Sequence, residues 1–458
     1  MKKIIALFCC IAVLLCGCGK ATDTDSESKK VNESVSDKVT DNGDDTSDQQ
    51  NDNEIKDVSG EYVSYLPVLK ETYSLIVADI SDIVVNDGQI GIVEMIGSLG
   101  NDEALKSIGF IIKDINHDNI SELIIASAID EYDGEYDGSR ILSIYTLIDK
   151  EPSLIIEGMY RDKLFLKSDG TIYNIGSGGA AYTAFGVIEL RENGGSEYLE
   201  YYYSDIDYET GEPVYYKSTG LSTEDSSKES VSEETFFNKQ DELSADLVAL
   251  ELTSFYDFKN IDYTITDYSD VQLADKESNI LNEGAEKINI RLPQLIGTSG
   301  DYTAVNNLIK QEYEDFISNE FTDIGYLHLT YEITYCDSSI ICIQYEYEFM
   351  GETAAHPVSS YHILCIFLDN ASIIDIDDNI NIDEAFIREV RASVNENKPL
   401  NFDDDIILES LREYFDAMTD EEFTEAVLSG DISINDDGYF VYIPLPHATG
   451  VDYIKVIV

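Results

Sequence analysis

The chain has 458 residues, with 29 Lys and Arg against 91 Asp and Glu, a formal net charge of −62. So acidic a chain repels phosphate backbones and anionic headgroups, which argues against nucleic-acid binding and favours cations and basic polymers as partners. Hydrophobic residues make up 43%, with 31 Tyr and 17 Phe, enough apolar matter for real cores and for two or three domains.

Met1-Lys2-Lys3 is a basic start, followed by an apolar run to Leu15 and then Cys16-Gly17-Cys18-Gly19. The run is too short to span a bilayer and has the order of an export signal. Leu15-Cys16-Gly17-Cys18 resembles a bacterial lipobox. That resemblance implies cleavage after residue 17 and lipid attachment at Cys18, with fatty acyl chains such as palmitate holding the protein at the outer face of the cell membrane. Residues 18–60 are Ser-, Asp- and Asn-rich without an aromatic side chain, and read as an acidic disordered tether.

Beyond the tether the expected fold class is α+β in two modules, 61–275 and 280–458, divided near 279–286. The first opens with a helical pattern over 62–83. Short β-like runs follow at 108–112, 123–126, 141–148, 154–157, 165–166, 171–175, 184–190 and 198–203, an antiparallel meander. A Ser/Glu-rich stretch at 218–234 reads as an exposed loop, and a helix over 236–252 closes the module.

The second module begins with a strand at 288–290 and a helix on the stripe Val305, Leu308, Ile309, Phe316, Ile317. A hairpin at 327–335 and 340–349 turns on Asp337-Ser338-Ser339, and a strand runs over 361–368. Helices are expected near 383–394, 404–415 and 420–428. The last carries a capping box, Thr419 with Glu422, and Gly430 as its stop. A final hairpin turns at residues 435–438.

The sharpest chemical motif is Asp114-Ile115-Asn116-His117-Asp118-Asn119-Ile120-Ser121-Glu122. Asp114, Asn116, Asp118 and Glu122 put oxygens at the first, third, fifth and ninth positions of a loop, with Ile120 at the seventh. That spacing suits a hard cation, so Ca2+ is the expected cofactor. The loop resembles those of integrin-type FG-GAP repeats, with Asn in place of Asp at the third position and of Gly at the sixth. An Asx-rich turn without metal is the competing reading. The acidic 130–138 stretch reads as a solvated hairpin, and Gly176-Ser177-Gly178-Gly179-Ala180 as a tight strand connection. The histidines His117, His328, His356, His362 and His447 form no metal or catalytic spacing, and no nucleophile elbow occurs, so a non-enzyme is expected. Past the lipobox three cysteines remain, Cys336, Cys342 and Cys365. They allow one disulfide and a free thiol, with the pairing open.

The second module carries a resemblance of its own. Ile288-Asn289-Ile290-Arg291-Leu292-Pro293-Gln294-Leu295 with Val305-Asn306-Asn307-Leu308-Ile309 is similar to the opening of an extracellular domain of unknown function. Tyr345-Glu346-Tyr347-Glu348-Phe349, Gly351 and Ala354-Ala355-His356-Pro357, with the closing Tyr442-Ile443-Pro444 and Gly450, resemble its companion domain. The pair occurs in the lysozyme-sensing anti-sigma-V factor and beside the catalytic domain of some peptidoglycan deacetylases. A lipobox and an acidic tether are read where the anti-sigma factor has its cytoplasmic segment and membrane helix, and the deacetylase's catalytic domain is not expected, so the resemblance implies only a sensing or binding module. The expected function is a membrane-anchored extracellular lipoprotein that binds a cationic protein or a cell-wall component. A calcium-dependent adhesion or scaffold protein is the alternative, and a wall-glycan enzyme the least favoured reading.

Overall fold

The structure is a computed structural model that describes residues 59–79, 83–127, 138–179, 182–192, 194–218, 228–268, 288–320, 324–351, 356–396, 405–446 and 451–458. The chain divides into Met1–Ile55, outside those residues, and Lys56–Val458, the unit that follows. The expected signal, Cys18, the junction at 279–286, most of the 130–138 stretch and His447 also lie outside the described residues. Among the described residues no helix is long and apolar enough to cross a membrane.

Helix α1 (Ser59–Val77) places Tyr62, Val63, Tyr65, Leu66, Leu69 and Ile76 in the core. It stops short of the expected end at 83 because Asn101 takes over its last carbonyls: Nδ2 donates to Ile76 O at 2.6 Å and to Ala78 O at 2.7 Å. Two helices that periodicity did not announce follow, α2 (Ile90–Leu99) and α3 (Asn101–Ser107), broken by Gly100 at φ 78°.

The meander is antiparallel, as expected. Strands β1 (Ile108–Lys113), β2 (Glu122–Ser127), β3 (Arg140–Ile148), β4 (Glu151–Glu157) and β5 (Asp162–Leu166) come first. They lead into β6 (Ile172–Gly179), β7 (Tyr182–Leu190), β8 (Ser196–Ile206), β9 (Pro213–Ser218), β10 (Lys228–Val231) and β11 (Thr253–Ser254). All eleven belong to one sheet, in the order β10-β9-β8-β7-β6-β5-β3-β2-β1-β11, with β4 paired to β3. Part of the expected 218–234 loop is therefore strand, because Lys228–Val231 pairs in register with Tyr215–Ser218.

The helix expected over 236–252 is α4 (Glu233–Leu243), capped by Ser232. It ends early because Asp246 turns the chain at φ 61° and the backbone then pairs with the β5–β6 hairpin. Ser168 N donates to Asp246 O at 3.0 Å and Val248 N to Leu166 O at 2.8 Å. A tertiary pairing thus overrides helical periodicity.

Next come α5 (Phe255–Lys259), β12 (Tyr263–Asp267), β13 (Ile288–Ile290), β14 (Pro293–Gly297) and α6 (Thr303–Glu320). Strands β15 (Ile324–Cys336), β16 (Ile340–Gly351), β17 (Val358–Phe367) and β18 (Ser372–Ile373) complete a five-stranded sheet with β13. Helices α7 (Glu384–Glu396), α8 (Asp405–Asp416) and α9 (Asp420–Leu428) precede a three-stranded sheet of β19 (Asp431–Ile434), β20 (Tyr439–Pro444) and β21 (Tyr453–Ile457). The Thr419–Glu422 capping box forms in both directions. The sheets are antiparallel except where β13 pairs parallel with β15, and helices are segregated from them, so the fold is α+β.

Packing crosses the division expected at 275–280. Strand β12, before it, pairs antiparallel with β14, after it. Tyr263 sits in one core with Leu292, Leu295, Ile309 and Leu327. A larger core joins α1 and Phe110, Phe255 and Phe258 to Ile340, Phe367, Phe415, Ile443 and Ile454. Helix α1 also bonds in both directions along the chain. Tyr65 Oη donates to Ser121 O at 2.7 Å, and Tyr62 Oη to Asp337 Oδ2 at 3.0 Å.

Candidate functional site

One face of the five-stranded sheet carries a cleft. Because opposed residues share a face in an antiparallel pair, the β15–β16 register puts His328 with Glu348, Thr330 with Glu346 and Glu332 with Gln344 on one side. The β16–β17 register adds Ser359 beside Glu348. The opposite face, with Leu327, Leu329, Ile343 and Tyr345, packs on α6. The polar face changes character along its length. At one end it is open and acidic. In its middle it is plugged by Gln344, fully buried, whose Oε1 accepts from Tyr442 Oη and Lys455 Nζ, each at 2.6 Å. At the far end it is dry, with Cys342 and Cys365 in the apolar core.

The open end is a cleft of about 570 Å³, lined by the strands from His328 to Ser360 and closed over by Val451, Asp452 and Tyr453. Its charged lining groups are Glu346, Glu348 and Asp452, with His328 beside them and no Lys or Arg among the described lining residues. Each carboxylate is held in place. Gln344 Nε2 donates to Glu346 Oε1 at 2.7 Å, Tyr326 Oη to Glu348 Oε2 at 3.0 Å and Ser359 N to Asp452 Oδ2 at 2.9 Å. Behind Tyr453, the rings of Tyr361 and Tyr442 lie with Tyr361 4.6 Å from Tyr453 and 4.7 Å from Tyr442. A cation about 4 Å from one carboxylate gains about 1 kcal/mol in water and several-fold more where walls exclude solvent. The arrangement therefore suits a ligand carrying positive charge.

The comparisons add no relative: no family model matches the chain, and no curated protein matches it.

The Asp114–Glu122 loop joins β1 to β2, and its side chains are organised as turns. Asp114 Oδ1 accepts from His117 N at 2.7 Å and Oδ2 from Asn119 N at 3.1 Å. Asn116 Oδ1 accepts from Asp118 N at 3.0 Å, and Asp118 Oδ1 from Ile120 N at 2.8 Å. His117 and Asn119 adopt φ of 65° and 73°, the left-handed turn that Asn accommodates in place of Gly. Gly170 backs the loop so closely that a Cβ there would lie 2.3 Å from Ile115 O.

Glu122 differs from the others. It is fully buried; Oε2 accepts from Ile115 N at 3.0 Å, and Oε1 has no hydrogen-bond partner. Burial pushes its carboxyl up to about 7, with the Ile115 amide opposing and Asp118 and Asp114 reinforcing the shift. Among the described residues no group of three or more His, Cys, Asp or Glu is arranged to hold a metal ion. The loop thus gathers the expected residues but spends Asp114 and Asp118 on its own backbone, and Glu122 alone presents a bare buried oxygen.

His356 lies outside the cleft lining, exposed, with Nδ1 3.3 Å from Pro357 O. His362 is stacked between Phe316 and Tyr345 at 5.0 and 6.2 Å. Sequence reasoning weighed His328 only as one of five histidines without a catalytic or metal spacing, and did not single out Asp452. No local motif ties His328 to Asp452; the alternation of Glu346 and Glu348 along one strand is the sequence signal that could have found the polar face.

Proposed function

We propose that this protein is a lipid-anchored, extracellular binding protein of the cell envelope, non-enzymatic, that takes a cationic ligand in the Glu346–Glu348–Asp452 cleft. The observation that carries the reading is a concave site with three carboxylates, each already oriented by a neutral donor, and no Lys or Arg among its described lining residues. The resemblance to the sensing domains of the anti-sigma-V factor supports the same half of the chain, and a basic protein surface such as lysozyme is the favoured partner class. The two expected modules are read as functional halves of one packed unit, the Asp114 loop in one and the cleft in the other. Cys18 is the proposed anchor, so Cys18→Ala is expected to move the protein from the membrane fraction into the medium, as followed by immunoblot.

The binding experiment is titration of lysozyme into the protein at low and moderate salt, with poly-L-lysine as a second probe. Glu346→Gln with Glu348→Gln is expected to weaken binding about tenfold, since each exposed ion pair contributes roughly 0.7 kcal/mol. Salt should weaken the wild type more than the double variant. No binding at low salt, or equal binding by the variant, removes the reading.

A second reading rests on Glu122. We infer that the Asp114, Asn116, Asp118, Ile120 and Glu122 loop is a weak calcium site of an adhesion or scaffold protein. Its support is the unpartnered buried oxygen of Glu122 beside two further carboxylates.

A further inference from the structure

We propose that Cys342 and Cys365 close an intramolecular disulfide across β16 and β17, and that Cys336 stays a thiol. The three cysteines left the pairing open in sequence; all three are thiols in the structure, and the register sets one pair of them face to face. Cys342 stands directly opposite Cys365, so the two side chains leave the sheet on one face. Directly opposed residues in an antiparallel pair have Cα atoms about 4.5–5.5 Å apart, inside the roughly 4.4–6.8 Å that disulfides span without backbone movement. Both residues are buried, 0% and 2% exposed, in the same apolar core. Cys336 is opposed to Ile341, the neighbour of Cys342 whose side chain points the other way. It packs against the second core, across the sheet from the pair.

The chemistry is thiol–disulfide exchange with an external disulfide, such as oxidised glutathione or a dithiol oxidase. One cysteine thiolate, Cys342 or Cys365, attacks the oxidant's sulfur, forming a mixed disulfide and expelling one thiolate. The other cysteine then attacks the protein sulfur of that mixed bond, forms the Cys342–Cys365 bond and expels the second. Two protein thiols lose two electrons and two protons, and the oxidant is reduced to two thiols.

Burial first, and then the neighbouring Cys365 thiol, push the Cys342 thiol well above its ordinary value. Attack through the thiolate therefore belongs to the stage before the C-terminal sheet closes over this face. Once closed, the same burial shields the bond from reductants.

The test refolds the full chain from reduced denaturant in a glutathione redox buffer, alkylates it and digests it unreduced after Asp and Glu. Cleavage at Asp337, Glu346 and Glu352 puts the three cysteines in separate fragments. The expected result joins fragment 338–346 to 353–369, two hydrogens lighter than their sum, with 333–337 alkylated. Cys336→Ser is expected to keep the cross-link unchanged. Recovery of both fragments alkylated, or of either joined to any other cysteine, overturns the proposal. In that outcome Cys342 and Cys365 serve only as small buried apolar side chains.

Discussion

Asp337→Ala is expected to lower the free energy of unfolding by about 4 kcal/mol, read from chemical denaturation, because one buried carboxylate satisfies four donors. Asp337 is fully buried. Its Oδ2 accepts from Tyr62 Oη at 3.0 Å and Tyr335 Oη at 2.8 Å, and its Oδ1 from Ser339 N at 2.7 Å and Ile340 N at 2.9 Å. Removal strands two amides and two hydroxyls where water cannot replace the carboxylate. Asp337→Asn separates hydrogen bonding from charge. Its amide oxygen still serves the two N–H groups, its NH2 faces hydroxyls that rotate to accept, and no charge is left to bury. Burial raises the Asp337 carboxyl, so the aspartate is itself under electrostatic load. The Asn variant is therefore expected within about 1 kcal/mol of wild type. If it is as unstable as the Ala variant, the account of Asp337 as a hydrogen-bond hub fails.

The second large effect is a pH dependence centred on Glu122. Its carboxyl stands at about 7 in the folded chain against 4.5 for the ordinary group. As pH rises through that interval, the unfolded chain gives up a proton that the folded chain retains. Stability is thus highest below the interval, falls across it by up to about 3 kcal/mol and stays at the lower level above it. Glu122→Gln removes the fall. The variant is expected to match wild type near pH 4 and to exceed it by roughly 2–3 kcal/mol near pH 8, measured by denaturant unfolding across pH.

Calcium separates the two readings of the loop. If the loop takes the ion, millimolar calcium restores the wild type near pH 8, does nothing for Glu122→Gln, and loses its effect in Asp114→Ala with Asp118→Ala. Identical curves in calcium and in chelator leave the loop a proton-titrating turn and remove the calcium reading.

Local signals were legible in the sequence where a side chain closes its own turn or cap, though helices α2 and α3 carried no such signal. Thr419 and Glu422 mark the start of α9 because a capping box is complete within four residues. Asn435 marks the last hairpin because its side chain serves its own turn, accepting from Asp437 N at 2.7 Å and Gly438 N at 3.1 Å. The Asp114 motif forms a turn for the same reason.

What the sequence hid depends on pairing between distant segments. The early stop of α4 needs the backbone of the β5–β6 hairpin. The pairing of β12 with β14 crosses a stretch that reads as a linker. The cleft needs the register that sets His328 against Glu348 and the C-terminal chain that lays Asp452 over Ser359. Composition showed an acidic protein, but a concave acidic site appears only when three strands align their alternate residues.

Helix α1 has a temporal consequence. It is among the first segments of the folded unit to be made, yet Tyr62 waits for Asp337, 275 residues later, and Lys70 Nζ for Asn435 O, 365 residues later. Such separations place a heavy loop-closure cost before the reward of packing and favour slow completion of the fold. Until the last strands arrive, Tyr62, Leu66 and Leu69 have no finished partner surface, and the chain holds an apolar helix in waiting. Premature termination anywhere before β21 would therefore unseat the first helix as well as the last sheet, so the quality of the N-terminal half is decided by the completeness of the C-terminal one.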